Sequence, residues 1–200
     1  MEIWKIKLNM KFLLDFKLFE IASIVEPNIV RSEPGLTESY FEFKVGEDTY
    51  IVYILLNNMY DEEILSIIDL NTIEISFDLG NNSYKLSNKN IPLKVLSNLV
   101  GVIKHWSSLD ISEDINEQEM NLKDVNITHI RIESKREAED DFRRSNIYNY
   151  YIEKFINSII INKKSEKKIG SNTIIPIRKF EVYETTYEIE PTNVRNLIKE

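Results

Sequence analysis

Two histidines, one acidic run and two groups of cations are the residues whose types could do chemistry in this chain. His105 lies beside Trp106, and His129 lies between Thr128 and Ile130, with Glu133 just downstream. Two imidazoles and a carboxylate are the parts of an acid–base pair or of a small metal site. Either use requires the side chains to converge. Nothing in their separation along the chain requires that, and no metal-ligand spacing is present. Ordinary structural histidines are therefore expected, with no catalytic residue, no metal and no cofactor.

Asp110, Glu113, Asp114, Glu117 and Glu119 form the acidic run. A calcium loop of the EF-hand type needs a central glycine and a terminal glutamate. The glycine is missing, so the run reads as a solvated connector. Arg143 and Arg144 fall in the first turn of a predicted helix, where cations oppose the helix dipole. Arg144 also continues the stripe of Tyr148 and Ile152 by one turn, which implies a specific partner. A carboxylate (Glu133, Asp140 or Asp141) would make a buried salt bridge; an anion bound at the helix N-terminus is the alternative. Lys163, Lys164, Lys167 and Lys168 read as a solvated linker, with contact to nucleic acid or an acidic protein face as the sharper option.

Composition narrows the classes. The chain has 200 residues, enough for one domain or one domain with an extension, and its 42% hydrophobic content supports a real core. The formal charge of −8 argues against a nucleic-acid binder, which usually carries a basic face. No cysteine is present, which removes disulfides, thiolate nucleophiles and thiolate metal sites together. No apolar run is long enough for a membrane-spanning helix. Lys5, Lys7 and Lys11 precede Phe12-Leu13-Leu14, but Asp15 and Lys17 break that run and no small-residue cleavage site follows, so no signal peptide is expected. The P-loop, G-x-G-x-x-G, G-x-S-x-G, H-E-x-x-H and kinase motifs are all absent. With 5 glycines in the chain, few backbone positions can approach a phosphate closely.

The elements that must position these residues follow from periodicity. Phe12, Leu13, Phe16 and Phe19 predict a helix over Met10–Ile24. Pro27 and Pro34-Gly35 mark a loop. Tyr40–Val45 alternates, Gly46-Glu47-Asp48 turns, and Tyr50–Leu56 returns, which predicts a hairpin. Ile73–Phe77 alternates as a half-buried strand, with a weak strand near Ser83–Leu86. Pro92 opens a helix to Trp106 whose stripe is Leu96, Leu99, Ile103 and Trp106. Asp110–Asp124 reads as a connector, Ile127–Glu133 as a strand, and Asp140–Ile161 as a helix with Tyr148, Ile152, Phe155 and Ile159 inward. Thr173–Ile189 is β-rich with Pro176 inside it, and Thr192 would cap a short helix over Asn193–Lys199.

The fold expected is therefore α+β: a mostly antiparallel sheet, two main helices on one face, and an N-terminal helix. Residues 1–162 form the core domain and 163–200 a β-rich extension. That extension is expected to leave the domain and add strands to a neighbouring chain, through Ile174, Ile175, Ile177, Phe180, Tyr183 and Tyr187.

The motifs Tyr40-Phe41-Glu42-Phe43, Tyr50-Ile51-Val52-Tyr53, Ile73-Glu74-Ile75-Ser76-Phe77, Leu96–Ile103, Ile130-Arg131-Ile132-Glu133 and Arg144-Ser145-Asn146-Ile147-Tyr148 occur in a telling order. In that order the chain, over about residues 10–160, resembles a loose family of small proteins carried by tailed bacteriophages and related mobile elements. It departs from them at Ser87-Asn88-Lys89-Asn90, where those relatives carry a T-G-x-G-like turn. The resemblance implies a non-enzymatic structural or accessory protein of a phage particle. Its partners would be other phage structural proteins or copies of itself, in the virion or the host cytoplasm. A phage-encoded binder of a host protein, or an enzyme of unknown class, are the alternatives.

Overall fold

The computed structural model describes residues 24–57, 70–79, 92–115, 117–136, 153, 154, 156, 161–174 and 178–198. Nine strands, one α-helix and two 3-10 turns fall within them. Strand makes up 62% of the described structure, so the class is mostly β and not α+β with two main helices and an N-terminal helix.

The expected hairpin is present. β2 (Glu38–Val45) pairs antiparallel with β3 (Asp48–Asn57), with Val45 opposite Asp48 across a turn where Gly46 has φ 67°. That is the left-handed region, which glycine enters without a Cβ penalty. Alternation does the rest. Phe41, Phe43 and Val45 are buried on one face, while Glu38 and Lys44 are exposed on the other. β3 pairs next with β4 (Thr72–Leu79), again antiparallel, bringing Ile54 opposite Ile75 and Leu56 opposite Ile73.

β4 is followed by α1 (Pro92–Ser108), after which β7 (Asn126–Arg136) lies parallel to β4 with Ile73 opposite Ile130. A parallel neighbour requires a crossover connection, and α1 lies in it. The helix buries Val95, Leu96, Leu99, Val100, Val102, Ile103 and Trp106 against the apolar face of the sheet. Gly101 sits in its middle because the chain near Val25 passes directly over it. A Cβ there would overlap the Val25 carbonyl oxygen and meet Pro27 Cδ at 3.0 Å. Gly101→Ala gains about 1 kcal/mol of helix propensity. Overpacking a tight contact costs about 1–3 kcal/mol, and here the obstacle is backbone. We expect a net loss of stability, read as a lower melting temperature; an unchanged or higher value would show that the Val25–Pro27 segment lifts off the helix freely.

The largest revision concerns the C-terminal segment. β8 (Ile161–Ile174) and β9 (Arg178–Asn193) form a long hairpin, and β9 pairs antiparallel with β7 from Asn126 to Arg136. The seven-stranded sheet runs β1-β2-β3-β4-β7-β9-β8, with β1 (Ile29–Glu33) at one end. The described part of residues 163–200 therefore belongs to the chain's own sheet, with β9 lying between β7 and β8. Tyr187, Ile189, Val194, Leu197 and Ile198 are core residues.

Other expectations shift locally. The acidic connector contains a small separate hairpin, β5 (Ser112–Ile115) with β6 (Gln118–Asn121), followed by a 3-10 turn at Leu122–Asp124 that buries Leu122. The last helix shrinks to a 3-10 turn at Val194–Asn196. Its cap is Asn193, whose side chain accepts from the Arg195 N–H, while Thr192 turns its hydroxyl to the Glu190 carbonyl at 2.7 Å. Of the helix expected over Asp140–Ile161, only Glu153 and Lys154 are described as helical; Ile156 is buried and bridges to Ile198, and Ile161 already belongs to β8. Its other residues, including Phe155, lie outside the described residues. So do Met10–Ala22 and Ser23, most of the expected N-terminal helix, and the weak strand at Ser83–Leu86.

Candidate interaction surface

The two histidines do not meet. His105 is exposed on α1 and packs edge-on against Phe41, ring centroids 6.2 Å apart, on the helix side of the sheet. His129 follows Thr128 and precedes Ile130, which faces the helix; successive strand residues point to opposite faces, so His129 lies on the other side. The sheet separates them. Glu133 does share the face of His129 and Arg131, but among the described residues no group of acidic and imidazole side chains is arranged to hold a metal.

His129 is a buried structural group. Its Nδ1 is 2.8 Å from the Thr128 hydroxyl, and the Asn71 carbonyl accepts from the backbone N–H groups of Thr128 at 2.7 Å and His129 at 3.1 Å. These bonds hold the irregular register between Ile127 and His129. Burial pushes the imidazole pKa below its ordinary 6.5; Glu188 opposite raises it and Arg131 lowers it further. The folded state thus favours neutral His129. Its contribution to stability is present above about pH 6.5 and is lost as pH falls through that value towards the folded pKa. The melting temperature should drop between about pH 7 and pH 5, and His129→Gln should flatten that part of the profile. An equal slope in the variant would assign the drop to other groups.

Glu113, from the acidic run, is structural as well: its carboxylate accepts from the Leu36 N–H at 2.7 Å and from the Thr37 hydroxyl at 3.4 Å. This ties the β5–β6 hairpin to the loop between β1 and β2. Asp114, Glu117 and Glu119 remain exposed, and in the hairpin register Asp114 stands directly opposite Glu119.

One small cavity is lined by Ile75, Val100, Ile103, Ile130, Ile156, Leu197 and Ile198. Every lining side chain is aliphatic, so it offers no group to orient a polar ligand.

The basic stretch read as a linker is the sheet's edge strand. Asn162–Ile169 is exposed throughout, and among the described residues β8 pairs with β9 alone. Its two faces differ. Lys164 crosses towards Tyr187 on the helix side, 5.5 Å from the ring centroid, and forms a 2.6 Å ion pair with Glu153. The Tyr187 hydroxyl donates to the same carboxylate at 3.3 Å, and burial drives its pKa strongly upward. On the opposite face Lys163 lies opposite Glu188 and Lys167 opposite Glu184. Register shifts at Ile161/Lys163 and Lys168/Gly170 interrupt the ladder. Lysines and bulges are how edge strands resist indiscriminate pairing.

β1, the other edge, is short and also charged. Arg31 Nε donates to Glu33 at 3.0 Å, and Arg31 stands over the Tyr40 ring at 5.3 Å. The Tyr40 hydroxyl donates to Glu42, and burial, reinforced by that bond, pushes its pKa up to about 12.

Of the partner-contact residues expected from sequence, Tyr187 is fully buried in the core and is unavailable to a partner, while Tyr183 is half-buried in β9. Ile174 closes β8 and Phe180 lies in β9. Ile175 and Ile177 lie outside the described residues, as do Arg143 and Arg144. The lysine stretch was read from sequence as a linker, with contact to an acidic protein face as the sharper option; what sequence reasoning missed is that it is an edge strand. Its signal was the spacing of Lys163, Lys164, Lys167 and Lys168, which places charge on both faces of a strand.

The fold and this surface define a mostly-β protein with an open sheet, one crossover helix and a basic edge. Comparison with known proteins finds no family, no characterised relative and no solved structure that matches the chain.

Proposed function

We propose that this protein is a non-enzymatic structural or accessory component of a tailed-bacteriophage particle, acting through protein–protein contacts. The observation that carries the reading is β8: a long edge strand, exposed from Asn162 to Ile169, that among the described residues pairs with β9 alone. Unpaired backbone donors and acceptors along a sheet edge are a docking surface for an extended segment of another chain. The separation of His105 from His129 by the sheet supports a non-catalytic role. The order of hairpin, Ile73–Phe77 strand, helix and Ile127–Glu133 strand, on which the resemblance to phage proteins rests, supports the particle setting.

Mass spectrometry of purified particles from the source element tests this. The chain should be present in a fixed copy number. Its absence from particles, together with its recovery on a host protein from infected cells, would replace this reading with that of a host-protein binder.

A further inference from the structure

Resting on the contact role just proposed, we infer that the β8 edge receives the acidic β5–β6 hairpin of a second copy of this chain, in a head-to-tail contact. The basic strip is local: Lys163 and Lys167 stand exposed on one face of an edge strand in a chain whose formal charge is −8. Lys163 and Lys167 alternate with Glu188 and Glu184 of the neighbouring strand β9, so a further strand added at the edge continues the charge ladder best if it brings carboxylates to the two lysines.

The same chain carries such a segment. In the β5–β6 register Asp114 is directly opposite Glu119, and both are exposed, with Glu117 near the turn. Cross-strand neighbours have Cβ atoms about 4.5–5.5 Å apart, and like charges so placed are destabilising. A lysine from outside relieves that repulsion. Glu113 cannot take part, because it is engaged with Leu36 and Thr37.

Placement makes the contact heterologous. Glu113 fixes the hairpin beside the β1–β2 loop, whereas β8 is the strand at the far end of the sheet order. Each copy therefore offers one basic edge and one acidic hairpin, two different surfaces of the same chain. Contacts between unlike surfaces propagate, giving a ring if the rotation closes and a filament if it does not.

Sedimentation velocity of the purified full chain at low and high salt tests this, with two charge-reversed variants. Lys163→Glu/Lys167→Glu and Asp114→Lys/Glu119→Lys should each weaken self-association at least about tenfold, roughly the effect of losing 1.4 kcal/mol of contact energy. Mixing the two variants should restore association, because both contacts between unlike copies then join opposite charges: the glutamate edge of one with the lysine hairpin of the other, and the unaltered hairpin of the first with the unaltered edge of the second. Lys163→Gln/Lys167→Gln, which avoids placing new glutamates opposite Glu184 and Glu188, should weaken association without lowering the melting temperature. A wild-type chain that stays monomeric at low salt and high concentration overturns the inference. So does a variant that associates like wild type, or a mixture that fails to form a complex. The particle reading is judged separately: a monomeric chain found in particles refutes self-docking alone, and a self-associating chain missing from particles refutes the particle setting alone.

Discussion

A chain ending at Asn162 should fail to fold. It would lose β9, which pairs with β7 along its length, and with it the buried side chains of Tyr187, Ile189, Val194, Leu197 and Ile198. Burying a large apolar side chain contributes about 1.5–3 kcal/mol. Those residues together therefore match the whole net stability of a typical domain, about 5–15 kcal/mol. β7 would also become an edge, leaving Ile130 and Ile132 without the cover of Tyr187 and Thr185 that stand opposite them. Circular dichroism of the truncated chain should show no cooperative transition in urea where the full chain shows one. A truncated chain that unfolds cooperatively at a similar midpoint would mean the terminal hairpin is dispensable to the core.

Trp106→Ala should lower stability by about 3–5 kcal/mol, as large-to-small changes at fully buried aromatic sites do. Trp106 is 0% exposed and lies where α1 meets the sheet. Trp106→Phe should cost less. The indole Nε1 is buried without a hydrogen-bond partner, so losing its N–H leaves no protein group newly unsatisfied. Equilibrium urea unfolding of both variants separates the two effects. Equal losses for Phe and Ala would show that the indole nitrogen, and not the ring's volume, is what the core requires.

How much of this was legible follows from which strands carry their own pattern. Tyr40–Val45, Tyr50–Leu56 and Ile73–Phe77 alternate because one face of each is packed more fully than the other, and all three are strands; Ile127–Glu133 is a strand as well, with its alternation broken by the register shift between Ile127 and His129. The stripe of Leu96, Leu99, Ile103 and Trp106 likewise marks α1. β8 had no such mark. Lys163 to Lys168 is exposed on both faces, so alternation is absent, and its extended shape comes from pairing with β9. β5 and β6 are too short, at 4 residues each, for a periodic signal.

β9 shows the opposite case. Thr185, Tyr187 and Ile189 are buried between Glu184, Thr186, Glu188 and Glu190, a pattern visible in the sequence. What could not be read was the partner. Sheet pairing joins residues far apart along the chain, and β7 ends before the long segment that leads to β8. A β-rich tail without a visible partner looks like one seeking a neighbour's edge. The candidate surface was misplaced for the same reason: the apolar residues assigned to a partner include Tyr187, which the chain's own core takes.

Amide hydrogen exchange across β8 and β9 in the intact chain tests the central claim most directly. A strand buried between two neighbours should exchange slowly, whereas an edge strand protects only amides that point inward. The amides of Thr185–Ile189 should therefore rank among the slowest in the protein, as slow as those of Val52–Ile54, while Asn162–Ile169 exchanges as an alternating set with its outward amides fast. Uniformly fast exchange through Thr185–Ile189 would contradict the account, because the terminal hairpin would then lie outside the sheet and its lysine edge would not be the edge of the fold.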